Sequence, residues 1–166
     1  MDLIAIVISS VLIVGVVFLL YNYFLNRHFS FGKIKSQQEI IFPLRLQAYE
    51  RMTLFLERIK PENIFTRINL ENLTLQEFQS IIITDIKTEL NHNIAQQIYI
   101  ESNTWDKIIL AANTTTSDVN MGIINHSSGF NSKEIAMQIL KNQNLHSSVL
   151  INDALASLKS DIQAYF

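Results

Sequence analysis

Glu89 and His92 stand three residues apart in Glu89-Leu-Asn-His92, and on a helix that spacing puts a carboxylate and an imidazole on one face. Di-metal carboxylate bundles use such E-x-x-H pairs to hold metal ions. Asp85, four residues before Glu89, and Gln96, seven after it, extend the same face. In those bundles, however, the motif occurs twice and two further helices each add a Glu. Here it occurs once. The competing interpretation is a polar helix edge on which His92 bonds Glu89 or a neighbouring helix, and no metal or cofactor is then expected. Asp85, Glu89 and His92 are the metal candidates against that background.

Other chemistry has less to stand on. His126 precedes Ser127, Ser128 and Gly129 without a G-x-S-x-G elbow or an oxyanion loop. His146, Ser147 and Asp153 form no recognisable triad. The four glycines, Gly15, Gly32, Gly122 and Gly129, are too scattered to cradle a phosphate. Cysteine is absent, which removes thiolate ligands, a thiol nucleophile and a disulfide scaffold. The residue set predicts a protein that is not an enzyme.

The elements that would position these residues are helical. Two prolines and four glycines in 166 residues are too little punctuation for an all-β chain. A first amphipathic helix is predicted over 39–60, with Pro43 near its start and Pro61 closing it. Leu44, Ala48, Met52, Phe55, Leu56 and Ile59 share one arc of this helix, and Gln47, Glu50, Arg51, Glu57 and Arg58 share the opposite arc with Leu54 among them. Tyr49 falls at the edge of the apolar arc and reads as core. A short helix, 61–67, follows with proline at a compatible first position. Thr74-Leu-Gln-Glu77 has capping-box spacing, and apolar residues from Leu75 to Ile98 recur at helical steps, so a long helix is predicted to about Glu101. Ser102 to Thr104 supply the next cap. The run Thr114 to Ser117 predicts a bend, because its hydroxyls compete with the backbone. His126 to Gly129 reads as a helix end. Asn131-Ser-Lys-Glu134 repeats the capping-box spacing ahead of a helix to about Asn144. A last helix, 148–164, carries Ile151, Leu155, Leu158 and Ile162.

Ahead of all this lies an uncharged apolar run, residues 3–25, LIAIVISSVLIVGVVFLLYNYFL. About 23 residues at ~1.5 Å rise reach ~34 Å, enough for a hydrocarbon core of ~30 Å. Asp2 before the run and Tyr-Asn-Tyr-Phe near its end do not suit a cleaved signal peptide, so an uncleaved signal anchor is predicted. Tyr21 and Tyr23 suit the headgroup level, with Arg27, Lys33 and Lys35 just beyond them. These bases follow the span and only Asp2 precedes it, which predicts an external N-terminus and a cytoplasmic C-terminal domain at the inner membrane. Ala5 and Ser9 give a small-xxx-small spacing that allows a homo-oligomer through the span.

Charge is uneven although its net value is −2. From Arg27 to Arg67 basic residues outnumber acidic ones by eight to four, and from Ile68 onward acidic ones outnumber basic by ten to five. The basic part lies nearest an anionic leaflet. Nucleic-acid binding wants a concentrated basic face on the domain itself, which this pattern does not provide.

Residues Leu46-Gln-Ala-Tyr49-Glu50-Arg51, continuing through Leu54-Phe-Leu-Glu57-Arg58-Ile59 to Pro61, resemble an uncharacterised family of bacterial single-pass membrane proteins. So do Asn91-His92-Asn-Ile-Ala-Gln-Gln-Ile-Tyr99 and Asp153-Ala-Leu-Ala-Ser-Leu-Lys159, and the likeness covers nearly the whole chain, apolar run included. The resemblance implies an N-terminal membrane helix and a helical remainder, and brings no activity, cofactor or catalytic residue with it.

The expectation is therefore an all-α protein: a transmembrane signal anchor (1–26), a basic juxtamembrane connector (27–38) and a four- to five-helix bundle-like cytoplasmic domain (39–166). Its partners would be the lipid bilayer and a membrane-associated protein, bound through Gln47, Glu50, Arg51, Leu54, Glu57 and Arg58 as an adaptor or scaffold. The rival expectation is a membrane-tethered metal-binding or enzymatic helical domain using Asp85, Glu89 and His92.

Overall fold

The computed structural model describes the backbone of residues 3–125, 129–141 and 145–165, and within it the side chains of all but 3–7 and 25–38. Among these residues there is no strand. Six α-helices form, α1 (Leu3–Arg58), α2 (Pro61–Arg67), α3 (Leu75–Asn93), α4 (Ser102–Asn125), α5 (Ser132–Lys141) and α6 (His146–Gln163), with one 3-10 segment, Ile94–Ile98, between α3 and α4. The chain divides into two compact units, Met1–Pro43 and Leu44–Phe166, and the boundary falls inside α1. Pro43 is the last residue of the first unit; proline has no N–H to bond the carbonyl four residues back, so the ladder of α1 loses a rung at this position.

The first unit contains a single helical segment. Its apolar side chains between Ile8 and Leu20 are each more than half exposed, and Asn22 donates its amide to the Phe18 carbonyl at 3.1 Å, satisfying itself within the helix. Among the described residues no helix is long and apolar enough to cross a membrane, so the expected span is not met there. The backbone also remains helical across 27–38, where a connector was expected.

In the second unit each helix buries the stripe its periodicity marks. Ala48, Met52, Phe55, Leu56 and Ile59 of α1 are buried to within 1 % of full enclosure and meet Phe78, Ile82 and Ile86 of α3 in one continuous core with Ile108, Val119, Ile135, Ile151 and Leu158. Leu44, expected on the inner arc, is 40 % exposed instead. At roughly 2–3 kcal/mol for each large side chain fully removed from water, this core is the principal stabilising term. Helix α4 packs on α3, α5 and α6, most extensively on α6.

Local signals set the boundaries. Thr74 and Glu77 form the predicted capping box, with Glu77 N–H donating to Thr74 Oγ1 at 3.2 Å and Thr74 N–H donating to Glu77 Oε2 at 2.9 Å. Asn72 precedes it at φ 58°, a left-handed turn that Asn tolerates. Asn131 and Glu134 make the same reciprocal pair ahead of α5. Helix α6 begins at His146, two residues earlier than expected, because Asp118 of α4 accepts the Ser147 N–H at 2.8 Å and caps the helix from another element.

Two further expectations change. Helix α3 ends at Asn93 and tightens into the 3-10 segment, so it does not reach Glu101. Asn93 bonds its own helix there, donating Nδ2 to the Glu89 carbonyl at 2.8 Å, and Ile94 and Ile98, expected inside, are 43 % and 72 % exposed. Conversely, α4 runs unbroken through 114–117, because Thr115 and Thr116 donate their hydroxyls back to Ala111 and Ala112 within the helix. The expected loop at 126–128 and the last residues of the fifth predicted helix, 142–144, lie outside the described residues.

Candidate functional site

The face that carries Asp85, Glu89 and His92 is tied to arginines. Arg58, at the last turn of α1, places Nη2 2.6 Å from Glu89 Oε1. Arg67, at the last turn of α2, places Nη2 2.5 Å from Asp85 Oδ2 and donates Nη1 to the Arg58 carbonyl at 2.9 Å. Glu89 therefore turns to Arg58 and not to His92, which is exposed. The arrangement is a ladder across three helices. It neutralises both carboxylates, and Arg67 together with Asn63, which donates to the Glu57 carbonyl at 2.6 Å, satisfies carbonyls at the open C-terminal end of α1. A cation at this face would first have to displace two guanidinium groups. Among the described residues no three His, Asp or Glu side chains converge as a metal-binding group.

The outer face of α1 divides in two. Gln47, Glu50, Arg51 and Leu54 are exposed, Leu54 at 56 %. Glu57 is half-buried and pairs with Lys60 at 2.8 Å, while Arg58 is held by Glu89, so these two belong to the ladder and its surroundings. Of the residues expected at the membrane interface, Tyr21 and Tyr23 are exposed, and the side chains of Arg27, Lys33 and Lys35 lie outside the described residues.

A second polar cluster had no counterpart among the sequence-derived candidates. Arg45 of α1 lies with its guanidinium carbon 4.8 Å over the Tyr165 ring centroid and Nη1 3.6 Å from Glu101 Oε1, and Tyr165 donates its hydroxyl to the same Glu101 oxygen at 3.0 Å. Below this ring of contacts, Thr104 of α4 donates to Asp161 of α6 at 2.5 Å. The Tyr49 hydroxyl and Arg45 Nε are buried there without hydrogen-bond partners. Burial, and next the Asp161 carboxylate, push the Tyr49 phenol above its usual range. The Glu101 carboxylate adds to that rise and the Arg45 guanidinium opposes it. The available signal was the four-residue step from Arg45 to Tyr49. Nothing local pointed to Glu101 or Tyr165, which are distant in the chain.

The fold and these two clusters define an all-helical protein whose charged side chains join helices to one another. The chain belongs to DUF7935, a family of unknown function that it matches over residues 1–165. Comparison with curated proteins and with solved structures returned no match.

Proposed function

We propose that this protein is a membrane-anchored helical interaction module that binds another membrane-associated protein through the outer face of α1. The observation that supports it is the run of apolar side chains in the first unit, each more than half exposed between Ile8 and Leu20. A helix apolar on every side needs lipid or protein around it. Taken with residues 3–7 and 25, the uncharged sequence is long enough for a bilayer, and the basic residues after it favour the bacterial inner membrane with the second unit on the cytoplasmic side. Arg51 and Leu54 then supply an exposed cation beside an exposed apolar side chain, a pairing suited to a protein partner. The metal or enzymatic alternative finds no support in a face whose two carboxylates are ion-paired.

The test places a photo-crosslinking side chain at Arg51, at Leu54 or at Asn152 of full-length protein in intact cells, followed by alkaline extraction of the membranes. Retention in the membrane and a discrete protein adduct from 51 and 54, absent from 152, with the adduct from 51 lost on Leu54→Glu and the adduct from 54 lost on Arg51→Glu, is the expected result. Release by alkali would overturn the anchor, and no adduct at 51 or 54 would overturn the interaction face.

A further inference from the structure

We propose that Arg45, Glu101 and Tyr165 form a releasable clamp over the first turn of α1 in the second unit, and that this turn undocks from α4 and α6 while the rest of the bundle stays closed. The inference stands independently of any membrane or partner. Arg45 is the second residue of that unit; it lies in α1, Glu101 immediately precedes α4, and Tyr165 follows the end of α6 by two residues. Each contact is partly in water: the side chains of Arg45 and Glu101 are 28 % and 55 % exposed, and Tyr165 is 42 % exposed. Screened ion pairs and cation–π contacts at such sites hold weakly.

The layer beneath favours opening. In the closed state the Tyr49 hydroxyl and Arg45 Nε are enclosed with no partner, and both would gain water on release. The bond from Thr104 to Asp161 joins α4 to α6 without involving α1, and Lys107 reaches Asp153 and Ser157 across the same pair, so α4 and α6 remain joined when the turn leaves. One turn further along, Met52, Leu56 and Ile59 are fully buried and end the opening there. In the closed state Ala48, one turn along from Arg45, is fully buried. Local openings of this kind occur well below the free energy of global unfolding.

The chain has no cysteine, so an introduced thiol reports its own site. Ala48 on α1 and Ala154 on α6 are both fully buried, which makes Ala48→Cys and Ala154→Cys matched probes of labelling by a thiol reagent in folded, full-length protein. Ala48→Cys is expected to react on the order of tenfold faster than Ala154→Cys. Adding Tyr165→Ala should accelerate Ala48→Cys by about another factor of ten and leave Ala154→Cys unchanged, with Tyr165→Phe, which keeps the ring under Arg45, in between. Tyr49→Phe should slow labelling at 48, since it removes the unpartnered hydroxyl, and should not lower the melting temperature. Equal rates at both probes, acceleration of both by Tyr165→Ala, or faster labelling at 48 with Tyr49→Phe would each overturn the clamp.

Discussion

Gly122 in α4 is expected to resist the gain of a single methyl group, and the geometry says by how much. A Cβ built there would stand 2.4 Å from Ile139 Cγ1 and 2.8 Å from Cδ1, well inside contact distance, and Ile139 of α5 is only 2 % exposed and has little room to yield. Replacing Gly by Ala inside a helix gains about 1 kcal/mol in propensity. Overpacking a filled core costs about 1–3 kcal/mol, and an overlap this deep belongs near the upper end. Gly122→Ala should therefore destabilise by ~2 kcal/mol, or roughly 4–8 °C in melting temperature for a chain of this size. Ile139→Ala alone should cost about 2–5 kcal/mol through lost burial and a cavity. In that background the nearest Ile139 atom to the new methyl is Cβ at 3.6 Å, an ordinary contact. Gly122→Ala should then become stabilising by ~1 kcal/mol, giving a coupling of ~3 kcal/mol. Thermal and urea unfolding of the four full-length proteins, followed by circular dichroism, complete the cycle. A neutral Gly122→Ala, or effects that simply add, would refute the close approach of α4 and α5.

Two further outcomes follow from the caps and the buried phenol. Thr74→Ala removes the hydroxyl that accepts from Glu77 N–H and should cost ~1 kcal/mol in urea unfolding; because Thr74, first through its side chain, holds the Glu77 carboxyl below its usual range, the carboxylate's part of the cap is present above the ordinary carboxyl pKa and is lost as pH falls through the lowered one, so the gap between wild type and Thr74→Ala should narrow in acid to what the hydroxyl's bond from Glu77 N–H supplies. Tyr49 has the opposite sign: its folded pKa lies above the unfolded value near 10, so its contribution is complete below pH ~10 and is lost as pH rises through the raised pKa. Tyr49→Phe should flatten that alkaline decline of the melting temperature, and an unchanged decline would show that another group controls it.

Signals confined to one helix were legible in the sequence. Thr74 with Glu77 and Asn131 with Glu134 are reciprocal pairs three residues apart, and both caps form. The stripe through Ala48, Met52, Phe55, Leu56 and Ile59 is buried because a periodic apolar face has one way to leave water. The same period misled at Ile94 and Ile98, since it cannot register that Asn93 competes for the Glu89 carbonyl and tightens the helix just before them. It also could not foresee α6 starting at His146, because the cap that allows this is Asp118, supplied from α4.

Charged residues were harder to read than apolar ones for a physical reason. An apolar side chain needs only burial, which any neighbour supplies, whereas a carboxylate needs a particular donor at a particular place. Glu89 and His92 share a helix face by their spacing, yet the partner that decides the chemistry of Glu89 is Arg58, on another helix 31 residues upstream. Arg58 was in turn expected on a surface facing a partner, from a wheel that shows only its own helix. Both expectations meet in one ion pair: the residue proposed to bind outward and the residue proposed to bind metal bind each other. What remains open to a partner on α1 is the stretch that this pair leaves free, Gln47, Glu50, Arg51 and Leu54, and Arg45 at its upper end is already held by Glu101 and Tyr165. A partner gripping α1 would therefore meet a helix pinned by charge at both ends of its exposed stretch, with Arg58 2.6 Å from Glu89 in a ladder that also caps the helix and Arg45 held by a longer, 3.6 Å approach to Glu101 that is partly in water. The weaker pin is the Arg45 end, so force applied along this face should open the bundle there first.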